Sequence, residues 1–239
     1  MRCRDNIKIT AILTSLSLLI WGIFIVFDVQ SDPLQMIGFN YGDQPKDKFT
    51  DTVIKCSLSK ACPPDTFDFH IWSGAANVVG PKICFNGKII MSHVLNNIGP
   101  GINIVVVNGE RGDLEKFGYF NMISGGKNNI LEYLKTIKPG SIVLVASYMN
   151  VTPRMTDEIR DVFESMGSRF IQSLKKKDGW IFAGKIGAKE KSLFERVSVN
   201  DEKTNIYDEW PHVVEMGGCY PMTIPGEDES EASQQEDKV

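Results

Sequence analysis

The chain has 239 residues, a hydrophobic share of 42% and a formal net charge of −4. That length and apolar content support one core of ordinary size with appendages. The acidic balance and the scattered basic residues exclude a nucleic-acid partner, because phosphate contacts need clustered Lys and Arg.

Residues 9–27 carry no charge and follow Arg2, Arg4 and Lys8, the charge order of a secretory signal or a signal anchor. As a helix the stretch would be about 28 Å long, close to the hydrocarbon thickness of a bilayer. No Ala-x-Ala cleavage site follows it, so residues 1–30 read as a signal peptide or a retained signal anchor. Either form directs the chain to the secretory pathway, with a secreted, extracellular protein as the first expectation. A Golgi or membrane-anchored protein held through residues 9–27 is the alternative, and no other membrane contact is expected. Residues 31–54, rich in Pro, Gly, Asp and Lys without a sustained period, read as a flexible stem.

Residues 55–222 carry the patterns of a folded domain. Phe67, Phe69 and Ile71 alternate with Asp68, His70 and Trp72, the period of a strand with one buried face. Ile83 to Phe85 and Lys88 to Met91 flank Asn86-Gly87, a dipeptide suited to the positive φ angles of a type I′ hairpin turn. Ile102 to Val107 is an almost unbroken β-branched run, and Asn108-Gly109 begins the turn into a strand from Leu114 to Met122. Asn129 to Lys138 predicts a helix closed by Pro139-Gly140, followed by a buried strand from Ser141 to Tyr148. Thr156 predicts the cap of a helix from Asp157 to Met166, with Gly167 stopping its last turn. A short helix at Phe170 to Leu174 and a strand at Trp180 to Gly184 complete the pattern. Residues 223–239, acidic and without aromatics, read as a disordered tail. With strands outnumbering helices and no regular βαβ alternation, the expected class is α+β with largely antiparallel sheets.

With Cys3 set aside as preceding the apolar stretch, Cys56, Cys62, Cys84 and Cys219 remain, an even set suited to an oxidising compartment. Their three possible pairings are not ranked by spacing, and the absence of Cys-x-x-Cys disfavours zinc. A bridge from Cys219 to Cys56 or Cys62 would close a loop of more than a hundred residues, worth roughly 4 to 5 kcal/mol by chain entropy.

Motifs for chemistry are sparse. His70, His93 and His212 lie in separate segments without metal-ligand spacing. Asp68 and His70 share the outer face of a predicted strand as a conceivable acid and base pair, with surface polarity the plainer account. No Gly-x-Ser-x-Gly elbow occurs, and Gly125-Gly126-Lys127 is a weak echo of a phosphate loop that reads as a turn. The Asp-x-Asp signature of lumenal glycosyltransferases is also missing. The chain is therefore read as no enzyme, with no catalytic residue, metal or cofactor. The run Lys175-Lys176-Lys177 reads as a solvated face. Asn150-Val151-Thr152 is an N-glycosylation acceptor, weakened by Pro153.

Several segments together are more specific. Cys56-x5-Cys62-Pro63, the block Ser73-Gly74-Ala75-Ala76-Asn77-Val78-Val79-Gly80-Pro81-Lys82-Ile83-Cys84, Gly101-Ile102-Asn103, Trp180-x-Phe182 and Trp210-Pro211…Glu215-Met216-x-Gly218-Cys219 resemble a family of secreted cytokine-like proteins. That family includes pancreatic-derived factor and the interleukin-like inducer of epithelial-mesenchymal transition. The resemblance implies a compact, disulfide-stapled ββα domain of the GG-type lectin kind, without catalysis, acting by signalling or glycan recognition. Its partner would be a cell-surface receptor or a glycan. It further implies the pairs Cys56 with Cys84 and Cys62 with Cys219. Ala183 stands where some members carry an additional cysteine, so a dimer linked through that position is not expected.

Relatives often show charged groups where this chain has Gly99-Pro100-Gly101-Ile102, Tyr148-Met149-Asn150-Val151 and Lys176-Lys177-Asp178-Gly179-Trp180. Pro100 and Met149 remove two of them, and Lys177 keeps charge without the planar fork of Arg. For a carbohydrate site the expected contacts are Lys177, Asn150 and Asp178, with Trp180 as a stacking face, or else as core.

Overall fold

The structure is a computed structural model that describes residues 55–125 and 129–223, together with Ser17. The rest of the apolar segment, the stem at 31–54, Gly126, Lys127 and the tail from 224 onward lie outside the described residues. Among the described residues no helix is long and apolar enough to cross a membrane.

The elements follow in order: β1 (Thr66–Trp72), β2 (Lys82–Phe85), β3 (Lys88–Met91), β4 (Gly101–Val107), β5 (Leu114–Phe120), α1 (Ile130–Lys135), β6 (Ile142–Tyr148), α2 (Asp157–Ser165), a 3-10 turn (Ile171–Ser173), β7 (Gly179–Lys185), β8 (Phe194–Ser198) and β9 (Glu215–Pro221). They build two sheets, ordered β3-β2-β1-β9 and β5-β4-β6-β7-β8. Every ladder in both sheets is antiparallel.

Burial divides the side chains into two cores. Phe69, Ile71 and Ile83 of the first sheet meet Val105, Leu144 and Ile181 on one face of the second. The other face of the second sheet, with Ile104, Val145, Trp180 and Phe182, lies beneath Leu134 of α1 and Ile159 and Phe163 of α2. The result is a sheet, a sheet and a helical layer, the expected ββα arrangement. It explains why β4 and β6 read as continuous apolar runs. A strand covered on both faces has no polar side to alternate.

Local chemistry sets the boundaries. Asn86 and Gly87 adopt φ of 47° and 74°, as the hairpin requires. Asp68 secures that turn, its carboxylate accepting from the Gly87 N–H at 2.9 Å. β5 ends at Phe120, short of the expected Met122, because the Asn121 side chain accepts from Ile123 and Ser124 N–H and folds a turn there. α1 stops at Lys135, before the expected Lys138, with Thr136 as its C-cap, although Ile137 still buries its side chain.

At α2 the Thr156 hydroxyl accepts from Ile159 N–H. Thr156→Ala should lower the unfolding free energy by about 1 kcal/mol, read from the urea midpoint at constant slope.

β8 and β9 have no counterpart among the predicted strands. β9 is Glu-Met-Gly-Gly-Cys-Tyr-Pro, without alternation, yet it pairs with β1 along all seven residues. The bridges Cys56–Cys84 and Cys62–Cys219, with Cα separations of 5.6 and 5.5 Å, match the implied pairing. The domain also runs slightly past its expected end. Thr223 donates its N–H to Gly109 O at 2.7 Å, so this first residue of the expected tail is bound to the fold.

Candidate ligand-binding cleft

Four connections converge where β1 and β6 end and β7 begins. The loop after β1 is pinned to β6 by Gly74 N–H, which donates to Ser147 O at 2.7 Å. A Cβ at position 74 would lie 2.2 Å from the Tyr148 ring, so glycine is required for this approach. After β6, Met149 has φ of 58°. Asn150 Oδ1 accepts from Thr152 N–H, Thr152 Oγ1 and, across to the turn before β7, Lys177 N–H at 3.2 Å. Lys177 itself has φ of 67°.

Asp178 is buried, and its two oxygens accept from Lys175 N–H and Asn200 N–H, each at 2.8 Å. It therefore ties the turn before β7 to the loop after β8. That places it as a structural brace and not as the sugar contact expected from its charge.

Trp180 is fully buried. Its ring meets Phe163 edge-on at 5.3 Å and stacks on Phe182, while Nε1–H donates to Glu195 at 2.8 Å. A ring with no exposed face cannot stack on a saccharide, so the core alternative holds for Trp180.

The aromatic groups of the cleft come from the loop after β8. Asn77 and Val78 form one wall, and Ile206, Tyr207, Asp208, Glu209 and Trp210 the other, around a cavity of ≈ 610 Å³. Lys177 Nζ pairs with Glu209 and lies 5.1 Å from the centre of the Trp210 ring. The Lys177 hydrogen bond and charge hold the Glu209 carboxyl below the usual range. Trp210 is half-buried, and the backbones of Tyr207 and Trp210 are joined by a β-bridge.

Lys177 thus reaches Glu209 and Trp210 of the cleft wall, Asn150 holds the Lys177 backbone from behind, and Asp178 and Trp180 are buried in the fold. Tyr207, Asp208, Glu209 and Trp210 carried no site assignment in the sequence reading. Their signal was available, because Tyr207 and Trp210 enclose two acidic residues in a segment with neither strand nor helix period.

The remaining candidates are engaged elsewhere. Asp68 serves the hairpin turn, and His70 faces Cys56 O through Nδ1 at 3.1 Å while stacking on Trp72. His212 lies beside the Ser198 hydroxyl, and His93 is exposed. Among the described residues no group of three or more His, Cys, Asp or Glu is placed to hold a metal ion.

The family described as Interleukin-like EMT inducer matches residues 100–188. Protein FAM3C of Danio rerio is 48% identical over 168 residues, covering 70% of this chain and 74% of that protein. Protein FAM3D of Mus musculus is 44% identical over 183 residues, covering 77% and 82%. Protein FAM3A of Mus musculus is 42% identical over 167 residues, covering 70% and 73%.

Proposed function

We propose that this chain, which belongs to the Interleukin-like EMT inducer family and is a cytokine-like protein, is secreted and acts without catalysis by binding a cell-surface glycan. The observation that carries this reading is the cleft containing Trp210. A half-buried indole beside carboxylates and an amide suits a saccharide, whose C–H face lies on an aromatic ring while its hydroxyls exchange hydrogen bonds with polar neighbours. Asp208 and Glu209 would accept from hydroxyls, and Asn77 offers both a donor and an acceptor. Lys177 lies against Trp210 and limits the open face of the ring, while Asn150 holds the Lys177 backbone. The two acidic side chains disfavour a sialylated or sulfated sugar and favour a neutral one.

A glycan array probed with protein recovered from culture medium tests the reading. Trp210→Ala should weaken binding by about tenfold or more, a loss on the order of 1.4 kcal/mol, with an unchanged melting temperature. A wild-type protein that binds no saccharide, or a Trp210→Ala protein that binds equally well, defeats it. N-terminal sequencing of the same material decides between secretion and anchorage. A chain starting after about Phe27 supports cleavage, and recovery of the intact chain on cell membranes instead of in the medium supports the anchored Golgi alternative.

A further inference from the structure

The loop between β8 and β9 sets a tyrosine among carboxylates. Asp201 and Glu202 precede Tyr207, Asp208 and Glu209 follow it directly, and Lys203 is the one lysine among them. All four acidic residues are exposed. Tyr207 and Trp210 exchange two backbone hydrogen bonds, of 3.2 and 2.9 Å, around a two-residue turn in which Asp208 has φ of 51°. The turn thus holds two exposed carboxylates in a fixed bend directly after the tyrosine.

Tyr207 lines the cleft and is half-buried. Its Oη makes no hydrogen bond among the described residues, where Tyr133 Oη is the one buried side-chain polar atom left without a partner, so the Tyr207 hydroxyl opens to solvent. The other described tyrosines lack either the open hydroxyl or the acidic neighbours. Tyr133 hides its Oη, Tyr220 packs against Phe69 and Phe194, and the Tyr148 ring lies against Gly74. Tyr119 is 45% exposed, but its nearest charged neighbour in the sequence is Lys116.

We propose that Tyr207 is a site of O-sulfation, made in the lumen by a transferase whose donor is an adenosine phosphosulfate. Sulfation requires a lumenal route and so rests on the secretory reading of the chain. In the transfer the phenolic oxygen bonds to sulfur while the bond from sulfur to the donor's bridging phosphate oxygen breaks. The phenolic proton goes to a base of the transferase, and the adenosine nucleotide leaves as a phosphate anion. A site that binds a polyanionic donor is lined by cations, so carboxylates flanking the acceptor tyrosine draw the loop into it. A surface loop outside the two sheets can enter such a site without opening a ladder. The ester carries a fixed negative charge. On the cleft wall it joins Asp208 and Glu209, and the three anionic groups favour a cationic group on the ligand or partner.

The test uses the full chain expressed in secretory cells fed labelled sulfate. The chain should take up label that survives removal of N-glycans and treatment with phosphatase. Chlorate, which blocks synthesis of the sulfate donor, should abolish it. Tyr207→Phe should lose the label, and Tyr119→Phe should keep it. Asp208→Asn with Glu209→Gln should lower the labelled fraction by about fivefold or more. On the native chain, electron-transfer fragmentation of the peptide that starts at Thr204 should place an added SO3 on Tyr207 and none on Tyr220. That measurement decides alone if the Tyr207→Phe chain does not fold. An unlabelled native chain in the medium overturns the proposal and leaves secretion standing. A Tyr207→Phe chain labelled as strongly as the native one overturns it too. A chain found only on membranes defeats secretion, yet its domain still faces the lumen, so SO3 on Tyr207 of the extracted chain upholds the site and its absence overturns it.

Discussion

Replacing both Cys62 and Cys219 by serine should lower the unfolding free energy by about 5 kcal/mol, and the matching change at Cys56 and Cys84 by only about 3.5 kcal/mol. The difference follows from sequence separations of 157 and 28 residues. A cross-link removes more freedom from the unfolded chain the longer the loop it closes. Because a domain of this size has roughly 5 to 15 kcal/mol of stability in total, the first variant should lose about a third of it or more. The local consequence is distinct as well. β9 is an edge strand with two adjacent glycines, held by its ladder to β1 and by Cys219. Without the bridge it should be the first element to exchange its amide hydrogens. Urea unfolding of the two serine pairs under non-reducing conditions measures both. A larger loss from Cys56 and Cys84 would mean that the unfolded chain is already compact enough to reduce the long-loop term.

Glu195→Ala should cost about 3 to 5 kcal/mol, because it leaves several buried donors without an acceptor. The Glu195 carboxylate is buried and accepts from Ser168 Oγ, Trp180 Nε1, Arg169 N–H and Phe170 N–H. Four O–H and N–H dipoles thus converge on one buried carboxylate. Glu195→Gln keeps one acceptor but brings an NH2 group against donors, and should fall between the native chain and the alanine variant. Glu164→Ala, on the exposed side of α2, should stay within about 0.5 kcal/mol of the native chain. Chemical denaturation of the three variants gives the ranking. If Glu195→Ala matches Glu164→Ala, then water enters the site freely and the network carries no stability.

Denaturation and glycan binding of alanine variants separate the two tryptophans. Trp180→Ala should cost about 3 to 5 kcal/mol through the cavity it leaves, and should reduce glycan binding only as far as it reduces the folded fraction. Trp210→Ala should do the reverse. The sequence left Trp180 as either a stacking face or core and gave Trp210 no role in the site. Burial of Trp180 depends on α2 crossing the sheet and placing Phe163 over the ring, a contact between residues in different elements.

The sequence alone determined the strands whose pattern is carried by their own side chains, β1 to β7, with β5 two residues shorter than expected. It also determined the turn at Asn86-Gly87 and the cap at Thr156, because these depend on local φ preferences and hydrogen bonds within a few residues. Through its resemblance to a family it also supplied the disulfide pairing. Only the tertiary structure decided β9, whose glycines and cysteine have no period and become a strand because β1 offers a full ladder. The same holds for the cleft. Asn150 and Lys177 are 27 residues apart and touch through one hydrogen bond, and Lys177 reaches Glu209 across a further 32. Such contacts arise from where strand ends meet, and sequence patterns of period two or 3.6 contain no term for that.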